Sequence, residues 1–210
     1  MHTSKQIAAL YVEHGGCYFG VDGVDPWDLE RDARSYSGPH PVVAHPPCKR
    51  WGRYWSGGPS AKVRRKLGDD LGCFDRALWA VRTFGGVIEH PEASKAWTWF
   101  GLNKPPRSGG WVVGDEFGSW VCCVEQGHYG HAARKATWLY YRGLVSTRPP
   151  ELIWGPCDGK VRLDPGFHST EERKAATVDQ RGCERLSAKQ RLATPIPFRD
   201  LLISIARGVV

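Results

Sequence analysis

A β-strand cannot run through two prolines, and in Pro41-Val-Val-Ala-His-Pro-Pro-Cys48 a short apolar run meets such a stop. Val42, Val43 and Ala44 read as a buried strand, and Pro46 and Pro47, which have no amide to donate, end it. Cys48 is thereby placed on a rigid loop at the carboxyl end of a strand, the edge at which open α/β sheets keep their sites. The pattern recurs in Gly86-Val-Ile-Glu-His-Pro91, where the run delivers a carboxylate, Glu89, ahead of a proline. Between the two runs the spacing predicts one long helix. Ser60 reads as its cap, and Val63, Leu67, Leu71, Phe74, Leu78 and Val81 recur at intervals of four and three as one apolar stripe closed by Gly85-Gly86. Strand, loop, helix, strand is a βαβ unit, so the two runs are expected as parallel neighbours joined by a right-handed crossover.

The flanks extend this α/β pattern. Ile7 to Val12 reads as a first strand, followed by a glycine-rich loop, His14 to Gly20, and a stretch dense in turn formers and acids, Val21 to Asp28. A helical turn is expected over Ala93 to Phe100, strands at Trp111-Val-Val, Trp120 to Val124 and Thr137 to Tyr141, and a closing helix from Pro197 to Arg207. With 210 residues, 41% of them hydrophobic, the chain is long enough for one sizeable core. The expected organisation is an α/β core over residues 1–147, a polar loop-rich insert or recognition lobe over 148–187, and a closing helix over 188–210. No stretch approaches the ~20 apolar residues of a membrane span. Met1 to Gln6 lacks a basic-then-apolar signal, so a cytoplasmic protein with no membrane partner is expected.

The formal charge is +7, from 29 Lys and Arg against 22 Asp and Glu, which suits a polyanionic partner. Seven scattered cysteines read as thiols. Cys122-Cys123 precedes His128 and His131, but there is no C-x2-C spacing and neighbouring strand residues point to opposite faces, so no metal is expected. Several of the ten tryptophans lie beside cations, as in Arg50-Trp51 and Lys95-Ala96-Trp97, a mixture that suits base stacking as well as packing. The loop Lys49 to Trp55, with Lys49, Arg50 and Arg53 interleaved with Trp51, Tyr54 and Trp55, is the candidate DNA-binding element, with a core role for its tryptophans as the alternative.

At these residues the chain resembles the DNA cytosine-5 methyltransferases, in the short form that phages and mobile elements carry. Pro47-Cys48 matches the family's nucleophile loop. Glu89-His90-Pro91 matches its following Glu-Asn element, with His in place of Asn. The segment Gln126 to Tyr140 resembles its arginine-bearing strand motif, with Arg134 as the matching cation. The resemblance spans roughly residues 40 to 207 and implies a mainly parallel, Rossmann-like methyltransferase-type sheet flanked by helices, with a small loop-rich lobe. It implies modification of carbon 5 of a pyrimidine in DNA or in a nucleotide, inside a bacterial host cell. Cys48 would add to ring carbon 6, helped by Lys49 and Arg50 if they lower its pKa. Glu89 would donate a proton to the ring nitrogen as a shielded carboxylic acid, and Arg134 would stabilise the exocyclic oxygen. Cys48, Glu89 and Arg134 are therefore expected to converge on one pocket.

The resemblance also implies S-adenosylmethionine as methyl donor, with Gly15 and Gly16 in its loop and Asp25 or Asp28 on its ribose. The residues there point elsewhere. Only 36 positions separate Val12 from Cys48, where one βαβ unit alone takes ~30, and no apolar stripe follows the glycine loop. Residues 13–30 are expected as an irregular loop without a helix. A trimmed donor pocket, another one-carbon donor, and a non-catalytic DNA-binding relative that has lost the cofactor site stay open. So does thymidylate-synthase-type chemistry on a free nucleotide.

Overall fold

In the computed structural model, which describes residues 6–52, 54–57, 62–63, 65–144, 149–158 and 186–208, seven strands form one sheet. They are β1 (Ile7–Leu10), β2 (Val24–Trp27), β3 (Val42–Ala44), β4 (Gly86–Pro91), β5 (Val112–Val113), β6 (Trp120–Glu125) and β7 (Ala136–Arg142). Their spatial order is β2-β1-β3-β4-β7-β6-β5. β1 to β4 are parallel, β7 runs antiparallel to β4, β6 antiparallel to β7, and β5 antiparallel to β6. Hence β6 shares the direction of β1 to β4, and the sheet is mixed.

Alternation along the strands sorts the core into two layers. Ala8, Leu10, Val42, Ala44, Ile88, Cys123, Trp138 and Tyr140 face one side. There they meet α1 (Cys73–Phe84), through Phe74, Ala77, Leu78 and Val81, and α2 (Lys95–Trp99), through Ala96 and Trp97. Ile7, Ala9, Val43, Val87, Cys122, Val124, Leu139 and Tyr141 face the other side. That face is covered by α4 (Ile196–Arg207) through Phe198, Leu202, Ile203, Ile205 and Ala206. Each fully buried side chain of this size contributes about 1.5–3 kcal/mol. Cys122 and Cys123 fall in opposite layers, as adjacent strand residues must.

Three local expectations need correcting. The helix before β4 starts at Cys73, far later than the apolar spacing suggests, and Ser60 lies outside the described residues. Val63 and Leu71 are 71% and 77% exposed. Gly68 and Gly72 take positive φ, as does Leu71, and this backbone cannot propagate a helix. Asp70 supplies the start instead. Its carboxylate accepts from the amides of Gly72 (3.0 Å) and Phe74 (2.9 Å) and from Trp51 Nε1 (2.8 Å). Second, the segment expected to be irregular contains β2, whose Val24 to Trp27 pairs with β1, although no helix joins the two. Third, residues 188–210 are not one helix: Ala193-Thr194-Pro195 separates a short α3 (Ala188–Leu192) from α4, the helix expected from Pro197 to Arg207, because a residue preceding proline is driven from helical geometry.

Of the expected insert, residues 149–158 are described. They lie along the sheet, with Leu152 and Trp154 packed on the α4-side layer and the Pro150 carbonyl accepting from Trp111 Nε1 at 2.8 Å. No helix among the described residues is long and apolar enough to cross a membrane.

Candidate active site

The register between β3 and β4 builds the site. Val42 pairs with Gly86, Val43 with Val87 and Ala44 with Ile88, so His45 and Glu89 emerge side by side at the carboxyl edge. Gly86 permits this approach: its φ is +123°, and a Cβ there would collide with the backbone of Val42. His45 Nδ1 lies 3.0 Å from Glu89 Oε2, and its Nε2 lies 2.8 Å from the hydroxyl of Tyr18, in the loop after β1. On the other side of Glu89, Gln126 Nε2 donates to Oε1 (3.1 Å) and to the Thr137 hydroxyl (2.9 Å). Thr137 itself donates to the Lys135 carbonyl, which fixes the Gln126 amide with nitrogen toward these acceptors and leaves its buried Oε1 without a partner.

Glu89 is 13% exposed. Burial alone would raise its carboxyl, but the hydrogen bond and charge of His45, with Lys135 and His90 behind them, hold it down to about 2. Glu89 is therefore held as a carboxylate, where the resemblance implies a shielded acid.

Cys48 sits on a tight turn whose Trp51 and Gly52 amides donate to the Cys48 carbonyl at 2.9 and 2.8 Å. Its thiol is pushed up by burial and by the charge of Glu89, and drawn down by Lys135. Lys135 in turn is pushed down by burial and held up by Glu89 and Cys48. Cys48, Glu89 and Lys135 thus share one field, and the cation that acts on the thiol is Lys135, in place of the expected Lys49 and Arg50. Lys135 was not singled out from the sequence. Its placement depends on a left-handed backbone (φ 37°) between the end of the turn after β6 and the start of β7, which no composition rule announces.

Arg134 is turned away from this cluster. Its guanidinium donates to Glu125 at 3.0 and 3.1 Å, and Arg107 (2.7 Å) and the Cys157 amide (2.9 Å) donate to the same carboxylate. Burial would raise Glu125, but Arg134 and Cys157 hold it down to about 2, and the assembly ties β6 to residues 149–158. Glu89 and Lys135 act electrostatically on Cys48, whereas Arg134 is engaged by Glu125.

His90, next to Glu89, points to the opposite face by strand alternation. Its ring is fully buried, lies against Phe74 and Trp97, and pairs through Nδ1 with the Ser94 hydroxyl at 2.7 Å. Burial lowers it to about 4, so it is neutral near pH 7 and adds a charge beside Glu89 only in acid, and the Pro46 and Pro47 carbonyls face it. It buttresses the loop that carries Cys48.

The candidate DNA-binding loop is only partly confirmed as a surface. Trp51 is 2% exposed, packs against Phe74, Trp99 and Phe100, and gives its indole N–H to Asp70, so it is a core residue. Trp97 is likewise buried. Lys49 is exposed, Arg50 is half-buried with Nη1 enclosed and unpartnered, and Arg53 lies outside the described residues.

At the front of the sheet the expected donor contacts are already taken. Asp25 accepts from Arg31 and from Trp27 Nε1 (2.7 Å). Asp28 accepts from His14 Nδ1 (2.7 Å) and from the amides of Glu30 and Arg31 (3.1 and 3.2 Å). Gly15 takes φ +63° in the turn, and the Gly16 amide donates to the Glu13 carbonyl at 2.9 Å. Both acids and this glycine amide are thus satisfied internally, which does not fit a cradle for the ribose and carboxylate of S-adenosylmethionine. His14, Asp28 and Glu30 also bring three ligand-type atoms within 4.8 Å of one another, but exposed groups of this kind commonly pair among themselves, as His14 and Asp28 do here. No family model matches the chain, nor does any curated protein or solved structure.

Proposed function

We propose that this site adds Cys48 to carbon 6 of a pyrimidine, cytosine in DNA or in a nucleotide, and so activates carbon 5 for modification. The observation that carries the reading is the shared field of a thiol after β3, a carboxylate on the parallel β4 and an ammonium group just ahead of the antiparallel β7. In the resting state the thiol is raised and Glu89 is a weak base, so the step needs the bound ring to bring their proton affinities together. The thiol proton passes to the Glu89 carboxylate, sulfur forms its bond to carbon 6, and the ring electron pair moves toward nitrogen 3. Nitrogen 3 then takes the proton from Glu89, so the net transfer is from sulfur to ring nitrogen. Lys135, whose ammonium donates to the Ala193 carbonyl at 3.2 Å, is the cation that would stabilise charge developing on the exocyclic oxygen. Gln126 Oε1, an acceptor without a donor, suits the amino group of cytosine better than the carbonyl of uracil. Arg50, with an enclosed and unpartnered guanidinium nitrogen beside the nucleophile, suits a phosphate.

The methyltransferase-type sheet and a phage or mobile-element setting belong to the same reading. The engaged acids Asp25 and Asp28 favour a second one, in which base binding persists without methyl transfer from S-adenosylmethionine.

The adduct can be tested without any donor, because the enamine exchanges the hydrogen on carbon 5 with water before sulfur leaves. Tritium release from carbon 5 of labelled cytosine in DNA, and from labelled deoxycytidine monophosphate, is the assay. We expect release that is lost in Cys48→Ala and reduced by about 10²–10⁴ in Glu89→Gln. Release unchanged by Cys48→Ala removes this residue from the chemistry. Binding of DNA with no release by the parent protein supports the non-catalytic reading.

A further inference from the structure

The geometry points to His45 as a positioning residue: bridging Tyr18, in the loop after β1, and Glu89, on β4, it fixes the carboxylate that serves Cys48 and sets when that carboxylate takes a proton. The inference rests on the reading of Cys48 and Glu89 given above.

Three observations carry it. The hydrogen bonds form one line, Tyr18 Oη to His45 Nε2 at 2.8 Å and His45 Nδ1 to Glu89 Oε2 at 3.0 Å. The imidazole is set by backbone on both flanks. The His45 amide donates to the Leu10 carbonyl at 3.0 Å, and Pro46 follows directly. Finally, Tyr18 is buried and its phenol is pushed well up by burial, so it remains a hydroxyl. A phenol can donate to a neutral ring nitrogen or accept from a protonated one, so both charge states of His45 are satisfied at Nε2 without rearrangement of the ring. In the neutral ring, donation from Tyr18 leaves the hydrogen on Nδ1, where it points to Glu89.

The charged groups around this line come from several elements. Cys17, Arg199 and Asp200 act on Tyr18, from its own loop and from α4. Lys135 and His90 act on Glu89, and Glu89 acts on Cys48. His45 is the only described side chain that makes a hydrogen bond to both Tyr18 and Glu89. Its removal therefore changes the protonation of Glu89, whereas a purely packing role would leave that unchanged.

The test is NMR of the full chain, labelled with 15N in histidine and 13C in the glutamate side chains, in the parent and in Tyr18→Phe and His45→Gln. The parent is expected to show His45, when neutral, as a single tautomer with hydrogen on Nδ1, and Tyr18→Phe to keep it, since the Glu89 carboxylate still accepts there. His45→Gln keeps a donor of similar reach but no charge, and the titration midpoint of Glu89 should rise by one pH unit or more, a tenfold change in proton affinity. Hydrogen on Nε2 in the parent, or a Glu89 midpoint unmoved in folded His45→Gln, overturns the proposal. Should either variant fail to fold, the tautomer of the parent alone decides it. These readouts need no substrate, so their failure is separable from a failure of tritium release, which bears on the adduct itself.

Discussion

Asp70 joins the loop of the proposed nucleophile to the helix beneath it, and Asp70→Ala measures how much that junction is worth. Its carboxylate, 8% exposed, accepts from Trp51 Nε1, Gly72 N and Phe74 N. Alanine removes all three acceptor contacts at once. Loss of a helix-capping side chain costs about 0.5–2 kcal/mol. The indole N–H of Trp51, enclosed by Phe74, Trp99 and Phe100, is left with no partner, which costs about 1–3 kcal/mol more. The expected destabilisation is about 2–4 kcal/mol, read from urea unfolding at unchanged slope. Trp51→Phe removes the same donor while keeping most of the ring, so the two losses should not add. A double-mutant cycle is expected to return a coupling of about 1 kcal/mol. Hydrogen exchange should localise the effect, with the Trp51 and Gly52 amides, both bonded to the Cys48 carbonyl, losing protection first. A loss below about 1 kcal/mol, or strictly additive losses, would refute the idea that one carboxylate anchors both helix and loop.

Other expectations follow from the same geometry. Gly86→Ala places a Cβ against Val42 in the neighbouring strand and should destabilise by more than about 2 kcal/mol in thermal or urea unfolding; a neutral result would mean β3 and β4 can part without cost. Lys135→Met should raise the Cys48 thiol further and slow its alkylation by iodoacetamide several-fold near pH 8, followed peptide by peptide in mass spectra, while Arg134→Ala leaves that rate unchanged and lowers stability through Glu125. Because Glu89 is depressed in the folded state to about 2, its ionisation contributes stability that is complete above the unfolded value near ~4.3 and is lost as pH falls toward 2. Glu89→Gln should accordingly flatten the acid limb of the stability–pH curve, and an unaltered limb would argue against a carboxylate in the native state.

What was legible in the sequence is the part written in covalent chemistry and in alternation. Pro46-Pro47 stops β3 wherever the chain is read, and the runs 42–44, 86–91, 120–124 and 137–141 are apolar enough to be strands on any pairing. The long helix starts later than its apolar stripe because a stripe at helical spacing is only a necessary condition. Val63 and Leu71 fit the stripe, yet the glycines at 68 and 72 and the carboxylate of Asp70 decide where the helix begins. Strand parity could have separated Glu89 from His90, since Val87 and Ile88 already face opposite layers. The choice between Arg134 and Lys135 had no such signal. It follows from Glu125, nine residues upstream, which captures the arginine, while the lysine donates to the Ala193 carbonyl and acts on Glu89 through its charge. β2 escaped notice because Val24-Asp-Pro-Trp27 carries a proline, which an edge strand tolerates where its missing amide faces outward.

The front of the sheet shows how a chain can support parallel neighbours without a helix between them. β1 and β2 are joined through residues 11–23, which form turns and no helix, so the layer beside β1 needs another cover. α4 provides it: Phe198, Leu202 and Ile205 pack with Ile7, Ala9 and Val43. It also holds the short crossover down, through Arg199 donating to the Cys17 carbonyl and Arg207 to the Asp22 carbonyl. Tyr18 lies within this pinned loop, adjoining Cys17, and joins the same apolar layer. The phenol that meets His45 is therefore positioned by a helix nearly two hundred residues away in sequence. Loosening α4 should register first at the Tyr18–His45 bond, because the sheet strands that carry His45 and Glu89 are held by their own ladder and the loop that carries Tyr18 is not.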